Sequence, residues 1–214
     1  MLRKTSLLIL LLLLAAVPVS AAAWGETWKW NEFNADYEKF YYEIISGSTS
    51  WDWELEEDVW VESTSYQLLE VTKIDDESWM VTQAQTSRMT KDELEGLSFM
   101  GGLSGLMALM GGNWFSEFMV LGMFASDLEF EVGNTMQLFD GSRVRVVEEQ
   151  KVAGVDGFLA RKLIREEDEE GNRRERVTSE WIIAPDVGWP LAVKVFDSDG
   201  NLTYSMTLLE YERR

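Results

Sequence analysis

The chain has 214 residues, no cysteine and no histidine, and 38 acidic side chains against 19 basic ones, which gives a net charge of −19. The missing residue types exclude disulfide bonds, a thiol nucleophile, a histidine base and Cys/His metal ligands. The negative field repels nucleic acid and anionic lipid headgroups, so we expect no nucleic-acid partner.

The amino terminus has the three parts of a secretory signal peptide. Arg3 and Lys4 are positive, residues 7–16 are apolar, and the sequence VSAAA supplies small residues for cleavage. We predict cleavage after one of residues 21–23, which leaves residues 24–214 as one exported domain with a charge of 17 − 38 = −21. An uncleaved anchor is the alternative, but a span needs about 20 apolar residues. The expected location is periplasmic or extracellular.

Residues 41–87 alternate between apolar and polar side chains, which predicts β-strands. We expect four strands here, with turns at residues 47–50 and 75–76. In one strand the alternation separates Trp51, Trp53 and Leu55 from the carboxylates Asp52, Glu54 and Glu56. Carboxylates beside aromatic rings are also found in glycosidases. A strand with one face in water explains the same pattern, and we favour it.

An apolar insert occupies about residues 90–125, and its stretch LSFMGGLSGLMALMGGNWFS, residues 97–116, has no charged side chain. Thr90 and Glu93 have the spacing of a helix capping box. The glycine pairs at 101–102 and 111–112 weaken a helix by about 1 kcal/mol per glycine, so we predict two or three short helices. A membrane span is the alternative, but the acidic sequence ASDLEFE that follows does not anchor one. We expect that the mature chain does not span the membrane.

The alternation returns after the insert in five or six further segments, joined by the turn sequences AGVDG, DEEGN, PDVGWP and DSDGN. Such short connections indicate antiparallel neighbours. The predicted fold class is therefore mainly β, with some α. We expect a single open antiparallel barrel or half-barrel, with the short apolar helices over its concave face.

The carboxyl-terminal part resembles the outer-membrane lipoprotein carrier superfamily, the LolA/LolB-like half-barrels, over about residues 148–211. Four features carry the resemblance: the VAG hairpin in EEQKVAGVDGFLARKL at 148–163, the strand with Trp181, the D-x-G-x-P turn at 186–190 and the D-x-D-G hairpin at 197–200. The resemblance implies an unclosed barrel around an apolar cavity that carries acyl chains of lipids or lipoproteins. In those carriers an arginine on an early strand regulates the lid, whereas residues 24–87 of this chain contain no arginine.

We therefore predict an exported, non-enzymatic protein that binds a lipid or acyl chain in a half-barrel cavity. The alternative is a cell-envelope scaffold or interaction protein whose core is self-filled and takes no small ligand. Methionine and glycine suit an adaptable apolar wall. The predicted lining comprises Phe99, Met100, Leu103, Leu106, Met107, Met110, Trp114, Phe115, Phe118 and Met123.

We expect no catalytic residue, no metal site and no cofactor. Ser104 lacks the G-x-S-x-G spacing of a nucleophile elbow, and no phosphate-binding or dinucleotide-binding motif is present. The sequence DSDGN has two carboxylates in a glycine turn but lacks the later ligands of a calcium loop. The predicted partners are a lipid or lipoprotein acyl chain, or another cell-envelope protein.

Overall fold

The computed structural model describes residues 27–29, 32–52, 54–88, 91, 121–122, 128–167 and 173–214. Within these ranges the chain forms nine strands. Their bounds are β1 Tyr37–Asp52, β2 Glu57–Lys73, β3 Trp79–Ser87, β4 Thr135–Gln137, β5 Arg143–Val152, β6 Val155–Glu167, β7 Arg173–Ile183, β8 Ala192–Phe196 and β9 Leu202–Arg213.

All nine strands belong to one sheet in the order β3-β2-β1-β9-β8-β7-β6-β5-β4. Every neighbouring pair is antiparallel. The first strand pairs with the last, so the sheet combines residues from both sides of the insert. Within the described residues the edge strands β3 and β4 do not pair with each other, and the sheet is open. The predicted open antiparallel fold is therefore confirmed.

The predicted turns are confirmed where they fall on described residues after the insert. The turn between β5 and β6 consists of Ala153 and Gly154, which both have positive φ angles, of 50° and 84°. Two positive φ angles define the tight hairpin turn whose twist matches that of the flanking strands. Between β8 and β9, the Asp197 carboxylate accepts hydrogen bonds from the backbone N–H of Asp199 and of Asn201. This carboxylate thus closes the hairpin turn.

The prediction for the amino-terminal strands was partly wrong. Three strands precede the insert, and the predicted turn at residues 47–50 lies inside β1. The chain instead reverses between β1 and β2, where residues 54–56 form a turn and Glu56 has a φ of 53°. Gly47 has another role, because a Cβ atom there would overlap the indole of Trp60 from the paired strand. The glycine makes room for a cross-strand aromatic ring.

The early end of β1 also corrects the predicted face of three carboxylates. The strand ends at Asp52, and Glu54 and Glu56 lie in the turn that follows. These residues therefore do not form one row on a strand. The turn predicted at residues 75–76 is confirmed, since it connects β2 to β3.

Apart from residues 91 and 121–122, the insert predicted to form helices over the concave face lies outside the described residues. In the part of the chain that the structure describes, no helix is long and apolar enough to cross a membrane.

Candidate functional site on the concave face

The apolar core lies on one face of the sheet, and we call this covered face the concave face. Alternate residues of each strand point to this face, so Phe40 and Ile44 of β1 lie beside Tyr211 and Met206 of β9. Trp181 of β7 lies between Ala160 and Val193 in the same way. This alternation produces a continuous apolar surface from β1 through β9 to β5. Its buried members include Phe40, Tyr42, Ile44, Val144, Val146, Ala160, Trp181, Ile183, Val193, Val195, Met206 and Leu208.

The centre of this surface is covered completely. Trp181, Val193 and Val146 are 0% exposed. A side chain that borders a cavity large enough for water would expose some area to it, so these three residues contact protein directly. The middle of the concave face is therefore filled.

Two segments of the described chain contribute to this cover. The first runs before β1, where the Trp28 indole N–H donates a hydrogen bond to the carbonyl of Val187 at 2.6 Å. The second runs before β4, where the Phe130 ring lies 6.0 Å from that of Phe158 on the concave side of β6. Leu121, which lies within the apolar insert, is also buried. The cover is apolar like the surface beneath it.

The loop between β7 and β8 is fixed to the sheet from several directions. The buried Tyr42 hydroxyl donates a hydrogen bond to the carbonyl of Pro190 at 3.0 Å. Leu191 donates its N–H to Ile182 and accepts from the N–H of Leu208. This loop contains the D-x-G-x-P turn, so the motif places an apolar segment against the concave core.

The concave face loses its cover toward strands β2 and β3. In β2 the inward-facing Leu69 and Val71 are buried. In the neighbouring strand β3, Trp79 and Val81 share this face and are 39% and 60% exposed. We call the surface formed by Trp79 and Val81 the open flank. It continues the apolar core without the cover that the core has.

A polar cluster lies at another end of the concave face, where β1 meets β9. The buried Glu38 carboxylate accepts hydrogen bonds from the Tyr211 hydroxyl and pairs with the Arg213 guanidinium, both at 3.2 Å. Burial raises the pKa of Glu38, and Arg213 and Tyr211 oppose that rise. Burial also raises the pKa of Tyr211 to about 12. The cluster joins the first and last strands through charge-assisted hydrogen bonds.

A groove of about 710 Å³ lies beside this cluster and is lined in part by Phe158, Val187, Tyr211 and Arg213. Acidic and basic side chains both border it, including Asp156. Among the described residues, no group of three or more acidic side chains is arranged to hold a metal ion. Neither the groove nor the polar cluster brings together groups that define a reaction.

The predicted lining residues all lie outside the described residues, so their place in the pocket stays a prediction. These residues are Phe99, Met100, Leu103, Leu106, Met107, Met110, Trp114, Phe115, Phe118 and Met123. Sequence reasoning missed the open flank. Its signal was the segment WMVTQAQTS, which has no charged residue although 27% of the chain is charged.

Fold and site together define a mainly β protein with an open antiparallel sheet and an apolar concave face. No family model and no curated protein matches the chain. Three solved structures are similar to it. They are the crystal structure of MucB (12% identity, 83% of this chain and 53% of MucB, TM-score 0.31), the Pseudomonas aeruginosa MucA/MucB complex (12%, 82% and 51%, 0.33) and a Bacteroides fragilis protein with a YmcC-like fold (8%, 88% and 100%, 0.31).

The chain spans about half the length of the MucB chains that it matches. TM-scores near 0.3 are too low for these structures to support a family or a function for this chain.

Proposed function

We propose that this is an exported, non-enzymatic cell-envelope protein that binds an apolar ligand, such as the acyl chain of a lipid or lipoprotein, on the concave side of its sheet. One observation carries the proposal: the apolar concave surface continues past its covered centre onto the open flank. Trp79 and Val81 there are 39% and 60% exposed. Apolar side chains on a concave surface without a cover are suited to an apolar ligand.

The filled centre determines where the ligand lies in this proposal. Trp181 and Val193 are already in full contact with protein, so a ligand adds its contacts at the flank or displaces part of the cover. The flank has the advantage that no packed side chain has to move. The ten apolar residues predicted between Phe99 and Met123 supply the opposite wall of the proposed site.

Two measurements test the proposal. Organic extracts of the protein purified from its native source are analysed by mass spectrometry, and a fluorescent fatty acid is titrated into the delipidated protein. We expect a copurified lipid and saturable binding of the fatty acid.

A pair of variants places the ligand on one face of the sheet. Val81 and Met80 are neighbours on the same strand and are 60% and 54% exposed, but Val81 faces the concave side and Met80 the other side. A carboxylate in an apolar contact is strongly unfavourable. Val81→Glu should therefore weaken fatty-acid binding about tenfold, an effect of about 1.4 kcal/mol, whereas Met80→Glu should leave it unchanged. Equal effects of both variants would remove the flank from the site.

The insert is tested with a larger side chain. Leu106→Trp shrinks a cavity but overpacks a filled core by about 1–3 kcal/mol. If Leu106 lines the pocket, fatty-acid binding falls while the melting temperature changes little. If the delipidated native chain binds no probe and Leu106→Trp is destabilised, the core at Leu106 is filled.

The second candidate function is that of a cell-envelope scaffold or interaction protein. The complete burial of Trp181, Val193 and Val146 favours it, because a core with no void needs no ligand for its stability. Empty organic extracts together with the absence of fatty-acid binding would select this function over the first.

A further inference from the structure

The two edges of the sheet differ in a way that bears on partner binding. The edge strand β4 has three residues, whereas β3, at the other edge, has nine. Natural proteins protect long edge strands with charged side chains, proline or bulges. Strand β3 has no charged residue and no proline, its pairing with β2 shows no register shift, and all its residues are exposed. It lacks each of these protections.

The backbone of β3 presents a regular row of hydrogen-bonding groups on its outer side. Lys73 donates its N–H away from β3, to the carbonyl of Asp36. Because bonding directions alternate along an antiparallel ladder, Thr72 bonds to its partner Met80. The outward N–H and C=O groups then belong to Trp79, Val81, Gln83, Gln85 and Ser87. Within the described residues no strand pairs with this side of β3.

The charge around this edge selects the kind of partner. Residues 37–88, which contain β1 to β3 and their turns, have 12 acidic and 3 basic side chains, a local charge of 3 − 12 = −9. A second copy of this chain would bring the same negative charge to the edge and be repelled. A basic segment would be attracted, and its association would be faster.

We propose that β3 is a docking edge for an extended, basic segment of a partner protein, which adds to the sheet as a further strand. The added backbone lies about 4.8 Å from β3 and bonds to its outward peptide groups. Alternate side chains of the segment lie on the concave side beside Trp79 and Val81, so we assign apolar residues to these positions. The proposal is independent of acyl-chain binding, since it depends on the backbone of the edge.

The acidic turn before β3 indicates which end of the added segment carries its basic residues. Asp75, Asp76 and Glu77 are exposed and lie two to four positions before Trp79. Antiparallel addition brings the carboxyl-terminal end of the segment next to this turn. The basic residues of the partner segment therefore concentrate toward that end.

The test uses two synthetic peptides and two variants of the protein. The probe is a capped ten-residue peptide in which valine and lysine alternate, and its control alternates valine and glutamate. Gln83→Pro removes one outward N–H and puts a ring in its place, while the bonds to β2 remain. Gln83→Ala keeps that N–H and is the matched control. Binding is measured by fluorescence anisotropy, and the melting temperature of each variant is recorded.

We expect the lysine peptide to bind the native chain and Gln83→Ala equally, and Gln83→Pro about tenfold more weakly. The glutamate peptide should not bind. Hydrogen exchange at the Val81 and Gln83 amides should slow in the complex with the lysine peptide, which checks the site without any variant.

Three outcomes would overturn the proposal. If both variants bind the lysine peptide equally and the amides stay unprotected, charge alone attracts the peptide. If neither peptide binds, the edge takes no basic strand. If the native chain dimerises with protection at the same amides, a second copy occupies the edge. Since the fatty-acid titration is separate, failure here leaves the proposed ligand function untouched.

Discussion

The hydrogen bond between Tyr42 and Pro190 allows a quantitative test of how the D-x-G-x-P turn is held. Tyr42 is 2% exposed and its hydroxyl donates to the Pro190 carbonyl at 3.0 Å. Burial raises the pKa of Tyr42 well above its ordinary value, so the hydroxyl remains a donor at neutral pH. Tyr42→Phe removes this one donor and keeps the ring that stacks on Phe40.

The expected effect follows from the burial of the remaining acceptor. Pro190 is also buried, and a buried group that loses its partner destabilises a protein by about 1–3 kcal/mol. For a domain of this size, each kcal/mol lowers the melting temperature by about 2–4 °C. We therefore expect a decrease of about 2–12 °C for Tyr42→Phe, measured at pH 7 by calorimetry and near-ultraviolet circular dichroism.

The neighbouring tyrosine provides the control. Tyr41 lies on the opposite face, and its ring stacks on Tyr66 at 5.9 Å. Tyr41→Phe keeps this stacking and should change stability by less than about 0.5 kcal/mol. If Tyr42→Phe melts within 1 °C or so of Tyr41→Phe, another donor or water satisfies the Pro190 carbonyl. The hydrogen bond would then not be what fixes the turn.

Two further predictions concern glycine and a buried carboxylate. A Cβ atom at Gly157 would lie 2.9 Å from the Ile183 backbone oxygen, so Gly157→Ala should destabilise by about 1–3 kcal/mol in denaturant unfolding; Gly47→Ala should cost less, because the exposed Trp60 ring can rotate. Burial raises the folded-state pKa of Glu38 above its ordinary value of 4.5. The protonated Glu38 side chain therefore contributes to stability below pH 4.5, and this contribution is lost as the pH rises through the folded-state pKa. Glu38→Gln should therefore gain stability relative to the native chain between pH 4 and pH 7, and a constant difference would contradict this.

The sequence predicted the carboxyl-terminal strands well because their turns have strong chemical signals. Gly154 and Gly200 both have positive φ angles, which only glycine adopts without strain. Asp197 caps its own turn through backbone N–H groups. Each of these residues determines the local backbone without help from distant contacts, so a local pattern was sufficient to find the hairpins.

The amino-terminal hairpin shows where local patterns were not sufficient. Gly47 belongs to a sequence that is typical of a turn, yet its role depends on Trp60, thirteen positions later in the chain and on another strand. The pairing of β1 with β9 likewise joins residues more than 150 positions apart, such as Phe40 and Tyr211. Such contacts depend on tertiary packing, which overrides local preference.

The sequence predicted that the candidate site is apolar, but not which part of it is exposed. Apolar residues on alternate positions of the late strands indicated a concave core, and the burial of Trp181 agrees with this. Alternation cannot tell which part of a face is covered, because cover comes from other segments of the chain. The exposure of Val81 beside the burial of Val71, its partner on β2, is therefore a result that only the structure provides.

Because only part of the concave face is covered, binding to it competes with folding contacts in some regions and not in others. Along β5 to β9 and the first half of β1, binding to the concave face would require separating packed side chains such as Trp181 and Val193. At the edge strand β3 the side chains of Trp79 and Val81 and the outer backbone are already in water, so contacts made there do not compete with folding contacts. Residues with few buried contacts also open locally at low free energy. The flank and edge can thus adapt to a ligand or partner while the rest of the sheet stays folded.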